Sequence, residues 1–358
     1  MGFDPLAEQP DAKRLLGAAL AEEPAHAYLL YGPPGVGKRR AALGFAAGLL
    51  GDESRVLSGA HPDLYLLEPL GEMIRIDEIR KLRHDLHMRP FEAEYRVYVI
   101  VGAHLLNGDA ADALLKDLEE PPSYAVILLV ADELGPLPET IRSRCQLVPF
   151  RRLPERSLRA YLAERAPGLD EAERIALARV AAGRLDRADR LLDPEATTRR
   201  AELLRVARAP YAEAEFEPAE AAATLLEAAH QRGVEAKDKL EAQLEGIELT
   251  AREAEQRSKR AQRGAEREEL LASLDELAAW YRDLVVVGAG AESAAVHADR
   301  IELLREDATR ARAIDAEVAA EAVRALWREL EEFNLGPALA LEALFVRLRR
   351  AFAGSLVA

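Results

Sequence analysis

Up to Phe150 the chain alternates short apolar runs with longer helix-forming stretches, and beyond Leu153 the runs stop. Ala27 to Tyr31, Val97 to Val101 and Ala125 to Val130 have the length and composition of strands. The first is followed by a glycine-rich turn, Gly32 to Lys38, and an Ala/Leu-rich helical stretch from Arg39 to Leu50. The second precedes a helix from about Asn107 to Glu119, and the third follows the break at Pro121-Pro122. Strands that alternate with helices in this way predict a parallel sheet.

After Leu153, Pro154, Pro167 with Gly168, Gly183 and Pro194 punctuate three short helical segments, which read as a small lid. From about Thr197 nearly every residue is a helix former. The charged stretch from Val234 to Leu271, whose apolar residues thin out after Leu249, reads as one long solvated helix. Gly246 and Gly264 weaken the case for an unbroken coiled coil, because each costs about 1 kcal/mol relative to Ala in a helix interior. The pattern predicts an α/β protein in three parts: residues 1–152, a sheet-containing core; 153–196, a helical lid; and 197–358, an all-α domain.

Composition narrows the function classes. With 358 residues and 49% hydrophobic residues the chain can bury real cores. A formal net charge of -15 argues against a chain that grips DNA alone, since neutralising phosphates needs concentrated Lys and Arg. Any DNA contact is therefore expected to be local or shared. The single cysteine, Cys145, excludes an intrachain disulfide and a multi-cysteine zinc site. Without a signal-peptide pattern or an apolar run of spanning length, a reducing cytoplasm is the expected location and no membrane partner is expected.

The turn Gly32-Pro33-Pro34-Gly35-Val36-Gly37-Lys38, set between a strand and a helix, is a phosphate loop. In such loops backbone N–H groups face a phosphate, the lysine reaches the β and γ oxygens, and the next residue, Ser or Thr, holds magnesium. Here Gly32, Gly35, Gly37 and Lys38 are candidate nucleotide-binding residues, but Arg39 stands where the hydroxyl belongs. The loop leaves ATP binding open, and no metal ligand is assigned. The second magnesium position, a carboxylate at the end of a buried strand usually followed by a catalytic Glu, falls on Val101 and Gly102. Neither can bind a metal or orient water, so hydrolysis by this chain is not expected. Asp109 and Asp112 lie beyond the strand on the next helix and read as carboxylates favoured by the helix dipole. His104 reads as a structural histidine rather than a general base.

Four stretches resemble the clamp-loader branch of the AAA+ family: His26 to Leu29, Gly32 to Lys38, Leu114-Leu115-Lys116-Asp117-Leu118-Glu119-Glu120-Pro121-Pro122, and Ile141-Arg142-Ser143-Arg144-Cys145-Gln146. His61-Pro62-Asp63 fits the same pattern, and the resemblance covers roughly residues 10 to 195. It implies an AAA+ P-loop core with a parallel sheet, a helical lid, and a C-terminal all-α collar through which subunits form a ring. Asn334 to Glu342 is similar to a segment near the end of bacterial delta-prime subunits and adds support for the collar. Two bacterial members of the family compete: the gamma/tau ATPase subunit, which keeps its magnesium acids, and the delta-prime subunit of DNA polymerase III, which commonly loses them. Arg39, Val101 and Gly102 favour the second. These relatives usually carry a four-cysteine zinc module after the phosphate-loop helix. No cysteine lies between Leu50 and His61, so zinc is not expected.

In the family, the arginine of Ser-Arg-Cys reaches the nucleotide of a neighbouring subunit, so the resemblance makes Arg144 a finger acting in trans. A guanidinium suits the task because it stays charged and meets phosphate oxygens in a planar fork, and such fingers contribute ~10³ to 10⁵ in rate. Arg142 and Ser143 are expected to set its orientation, and Cys145 reads as a small buried hydrophobe. The implied partners are gamma/tau and delta subunits and, through their complex, the sliding clamp and primed DNA. The alternative is an active gamma/tau-type ATPase subunit, supported by Lys38 and opposed by the missing acids.

Overall fold

The computed structural model describes residues 5–69, 73–244, 251–332 and 336–354. Gly246 and the Asn334-Leu335 pair of the collar-like segment lie outside the described residues. Contacts between Cα atoms divide the chain into two compact units: Met1–Glu164 with Gly183–Asp186, and Arg165–Ala182 with Arg187–Ala358. The segment 153–196, expected as a lid, contributes to both.

The first unit runs α1 (Pro10–Ala21), β1 (Ala27–Tyr31), α2 (Lys38–Leu50), α3 (Glu53–Leu57), β2 (Leu64–Leu67), α4 (Ile76–Leu86), β3 (Arg96–Val101), α5 (Gly108–Glu119), β4 (Ala125–Ala131), α6 (Glu139–Arg142), β5 (Gln146–Pro149) and all but the last residue of α7 (Glu155–Arg165). Among the described residues the five strands form one sheet in the order β2-β3-β4-β1-β5, with every pairing parallel. Alternate strand residues face opposite cores, as the two-residue period requires. Tyr28, Leu30, Val97, Val99, Val126 and Leu128 meet α1 and α2 on one side. Leu29, Tyr98, Ile100, Ile127 and Leu129 meet α4 and α5 on the other. Both faces are covered, which is why these strands read as continuous apolar runs rather than alternating ones. Two of the five strands, β2 and β5, are short and partly exposed along the edges of the sheet.

This is the parallel α/β P-loop core, followed by helices, that the AAA+ resemblance implies. The expected helix after Asn107 begins at Gly108, and Asn107 caps it by accepting the Ala110 N–H at 3.0 Å.

The second unit contains α8 (Glu171–Ala181), all but the first two residues of α9 (Leu185–Leu192), α10 (Pro194–Ala212), α11 (Pro218–Leu244), α12 (Ala251–Gly288), α13 (Ile301–Asp307), α14 (Arg310–Glu332) and α15 (Pro337–Ala351). Its core gathers Trp280, Tyr281, Leu284, Val323, Phe345 and Phe352 from α12, α14, α15 and the turn that follows. A buried polar chain runs through it: the Trp280 indole N–H donates to the Tyr211 hydroxyl at 2.9 Å, and that hydroxyl donates to Asp307 at 2.8 Å.

The charged stretch from Val234 to Leu271 is not one long solvated helix. It is shared between α11 and α12, which pack against each other, and Gly233 of α11 lies against Gln262 and Glu266 of α12. A Cβ at position 233 would come within 2.5 Å of the Glu266 side chain, so glycine permits the close approach. The polar composition that suggested solvent all round includes side chains that meet across this contact, His230 of α11 lying 3.1 Å from Glu266 of α12, while Leu225 and Ala229 share an apolar core with Leu270 and Leu274.

Candidate functional site

The phosphate loop leaves the carboxyl edge of the sheet between β1 and α2. Gly32, Gly35 and Gly37 have φ of 141°, 71° and 96°, which only glycine adopts without strain. Gly32 is also held against the Phe150 carbonyl, where a Cβ would collide. The four loop residues named from sequence are thus brought together in one turn. Lys38 is buried, and its ammonium donates to the Gly32 carbonyl at 2.6 Å and the Pro33 carbonyl at 2.5 Å. Its third contact is an ion pair with Asp132 at 2.8 Å. Burial pushes the Lys38 pKa down, against the opposing pull of Asp132 and then Asp186.

Asp132 is a site residue that sequence reasoning missed. Strand β4 lies directly beside β1 with Tyr31 opposite Ala131, so Gly32 and Asp132 leave the sheet side by side. The signal was a carboxylate one step past the end of a buried strand, the edge where α/β ligands bind. His104 serves this residue: its Nδ1 accepts the Asp132 N–H at 3.2 Å, and burial lowers its pKa. Asp109 and Asp112 are exposed on α5 and do not supply the lysine's counter-charge.

Asp186 is the second acid missed. Its carboxylate packs on the Gly35 Cα so closely that a Cβ there would overlap it, and Arg184 donates to it at 2.7 and 3.2 Å. The neighbouring Leu185 N–H donates to the Gly35 carbonyl at 2.7 Å.

Magnesium does not fit this site. Arg39, in the place of the hydroxyl, pairs with Glu68. Val101 ends β3, and Gly102 follows in the left-handed conformation with φ 72°. No carboxylate stands at either position, and among the described residues no group of three or more His, Cys, Asp or Glu could hold a metal.

Arg144 lies elsewhere. It sits in the turn between α6 and β5, just before the amino end of a strand that runs parallel to β1, whereas the phosphate loop leaves the carboxyl end. The four residues of β5 span on the order of 13 Å. The structure therefore places Arg144 and Lys38 at opposite edges of one sheet. The Arg144 guanidinium is partly exposed, pairs with Glu119 at 2.6 Å and donates to the Thr140 carbonyl at 2.8 Å. Ser143 adds a long contact at 3.5 Å, and the Arg142 carbonyl accepts the Cys145 N–H at 3.4 Å. Cys145 packs beside the sheet core, where burial pushes its thiol up to about 12. It behaves as a hydrophobe at neutral pH.

The remaining motifs position this frame. In Leu114 to Pro122, Leu114 and Leu118 are buried, Asp117 pairs with Arg83 at 2.8 Å and Glu119 meets Arg144. In His61-Pro62-Asp63, the buried Asp63 accepts the N–H groups of Phe91, Glu92 and Ala93 at 2.6, 3.0 and 2.9 Å.

Residues 8–154 match the protein family described as DNA polymerase III, delta subunit. The chain is 33% identical over 169 residues to DNA polymerase III subunit delta' of Bacillus subtilis (strain 168), covering 44% of this chain and 51% of that protein. It is 38% identical over 136 residues to subunit delta' of Pseudomonas aeruginosa, covering 34% and 42%. Subunit tau of B. subtilis is 32% identical over 168 residues, covering 43% of this chain and 30% of that protein. The chain spans about half or less of the length of these curated relatives.

Proposed function

Because residues 8–154 match the family described as DNA polymerase III, delta subunit, and resemble delta' subunits, we propose that the chain acts as a non-catalytic, delta-prime-type subunit of a clamp loader. With gamma/tau and delta subunits it helps load the sliding clamp on primed DNA, in the cytoplasm. It donates Arg144 to a neighbour's ATP.

The observation that carries this reading is the separation of Arg144 from the chain's own loop. A finger at the amino edge of the sheet cannot reach a phosphate held at the carboxyl edge on the order of 13 Å away, so its target must lie in another subunit. Its shortest contacts in the chain are an exposed carboxylate and the Thr140 carbonyl of the preceding helix, both of which it can exchange for phosphate oxygens. The three positions that would hold magnesium and orient water carry Arg39, Val101 and Gly102, which supports a chain without turnover of its own.

The similarity to tau favours a second reading, a gamma/tau-type ATPase subunit. Two measurements separate them. A delta-prime-type chain comigrates with gamma/tau and delta subunits of its own source in size-exclusion chromatography and turns over no ATP alone. Turnover by the isolated chain supports the ATPase reading, and failure to join those subunits contradicts both.

A further inference from the structure

The acids around the phosphate loop oppose its usual ligand. An ammonium has three donors. Those of Lys38 meet Gly32 O at 2.6 Å, Pro33 O at 2.5 Å and Asp132 Oδ1 at 2.8 Å, in a side chain only 3% exposed. Phosphate oxygens can reach this lysine only by displacing a carboxylate or a loop carbonyl. On the neighbouring turn of the same unit, Asp186 covers the Gly35 Cα and Leu185 holds the Gly35 carbonyl. Arg184, a cation close enough to act on the Lys38 charge, is committed to Asp186 by two hydrogen bonds. Lys38 and Arg184 are thus balanced by Asp132 and Asp186, and Arg39 is balanced by Glu68. A nucleoside triphosphate, which brings several negative charges, meets two fixed carboxylates where it needs unopposed cations.

We propose that Asp132 and Asp186 set the ligand preference of the Lys38 loop against nucleotide phosphates, so that the loop clasps the chain's own Gly183–Asp186 turn instead of holding ATP. The glycines keep a purpose in this arrangement. Gly35 is the residue whose missing Cβ lets Asp186 close on the loop. The proposal concerns the isolated chain and does not depend on which subunits it joins.

The test is titration of the full chain with mant-ATP and with inorganic pyrophosphate. Wild type is compared with Asp186→Asn, with Asp132→Asn/Asp186→Asn, and with the double variant carrying Lys38→Ala. Removing both opposing charges is expected to tighten binding of both probes by at least about tenfold, with the gain erased by Lys38→Ala. Asp186→Asn alone is expected to give a smaller gain in the same direction, and it carries the test if the double variant does not fold, since Asp186 is partly exposed and Asp132 anchors the lysine. Equal affinity of wild type and the acid variants, at any strength, overturns the proposal. A gain that survives Lys38→Ala also overturns it, because the new binding would then lie elsewhere.

Discussion

The Arg144 guanidinium lies 2.6 Å from the Glu119 carboxylate, joining two of the motifs that carry the clamp-loader resemblance. Glu119 ends α5 and Arg144 follows α6, and both side chains are 34% or more exposed. An exposed pair of this kind is worth about 0 to 1 kcal/mol, small enough for a phosphate to displace. The pair parks the arginine without locking it.

Glu119→Gln is accordingly expected to change the stability of the chain by less than about 1 kcal/mol in urea unfolding. A loss above about 2 kcal/mol would mean that the pair holds the turn together rather than parking a movable side chain.

Asp63 should behave in the opposite way. Burial alone would raise its pKa, but the N–H groups of Phe91, Glu92 and Ala93, with Arg96 nearby, outweigh that effect and leave it lowered. A depressed carboxylate contributes stability that is fully present above its unfolded pKa of about 3.9 and is lost as pH falls through the lower folded value. Asp63→Ala is expected to cost about 3 kcal/mol at pH 7 by orphaning three donors, with a shallower acid dependence below about pH 4. Wild-type acid dependence in the variant would remove Asp63 from that role.

Gly35→Ala should destabilise the chain by roughly 1 to 3 kcal/mol, from backbone strain at φ 71° and from the collision with Asp186. In an Asp186→Gly background the collision disappears and only the strain remains, so the cost should fall by more than about 0.5 kcal/mol. Equal costs in the two backgrounds, read from denaturation midpoints, would mean that Asp186 does not press on Gly35.

The parts legible in the sequence were those fixed by local chemistry. Glycines at Gly32, Gly35 and Gly37 announce positive φ, and the apolar runs of β1, β3 and β4 announce strands covered on both faces. The short edge strands β2 and β5 escaped because four residues with partial exposure carry little periodic signal. Asp132 and Asp186 escaped for a different reason. Their roles arise from the order in which strands pair and from a turn far along the chain that folds back on Gly35. Those are tertiary relations with no local signature, and for Asp132 the one available cue was its place just beyond a buried strand. The charged stretch after Val234 misled because charge alone does not distinguish a helix in water from one packed along one side on another helix.

The most direct test of the central claim is DNA-stimulated ATP turnover by the reconstituted clamp loader containing wild-type or Arg144→Ala chain, measured beside the isolated chain. A finger supplies on the order of 10³ or more at the site it serves, so the variant complex is predicted to lose at least about tenfold while still assembling. The isolated chain is predicted to show no turnover. A variant complex that assembles and keeps turnover within about twofold of wild type would contradict the account and leave Arg144 as the partner of Glu119 alone.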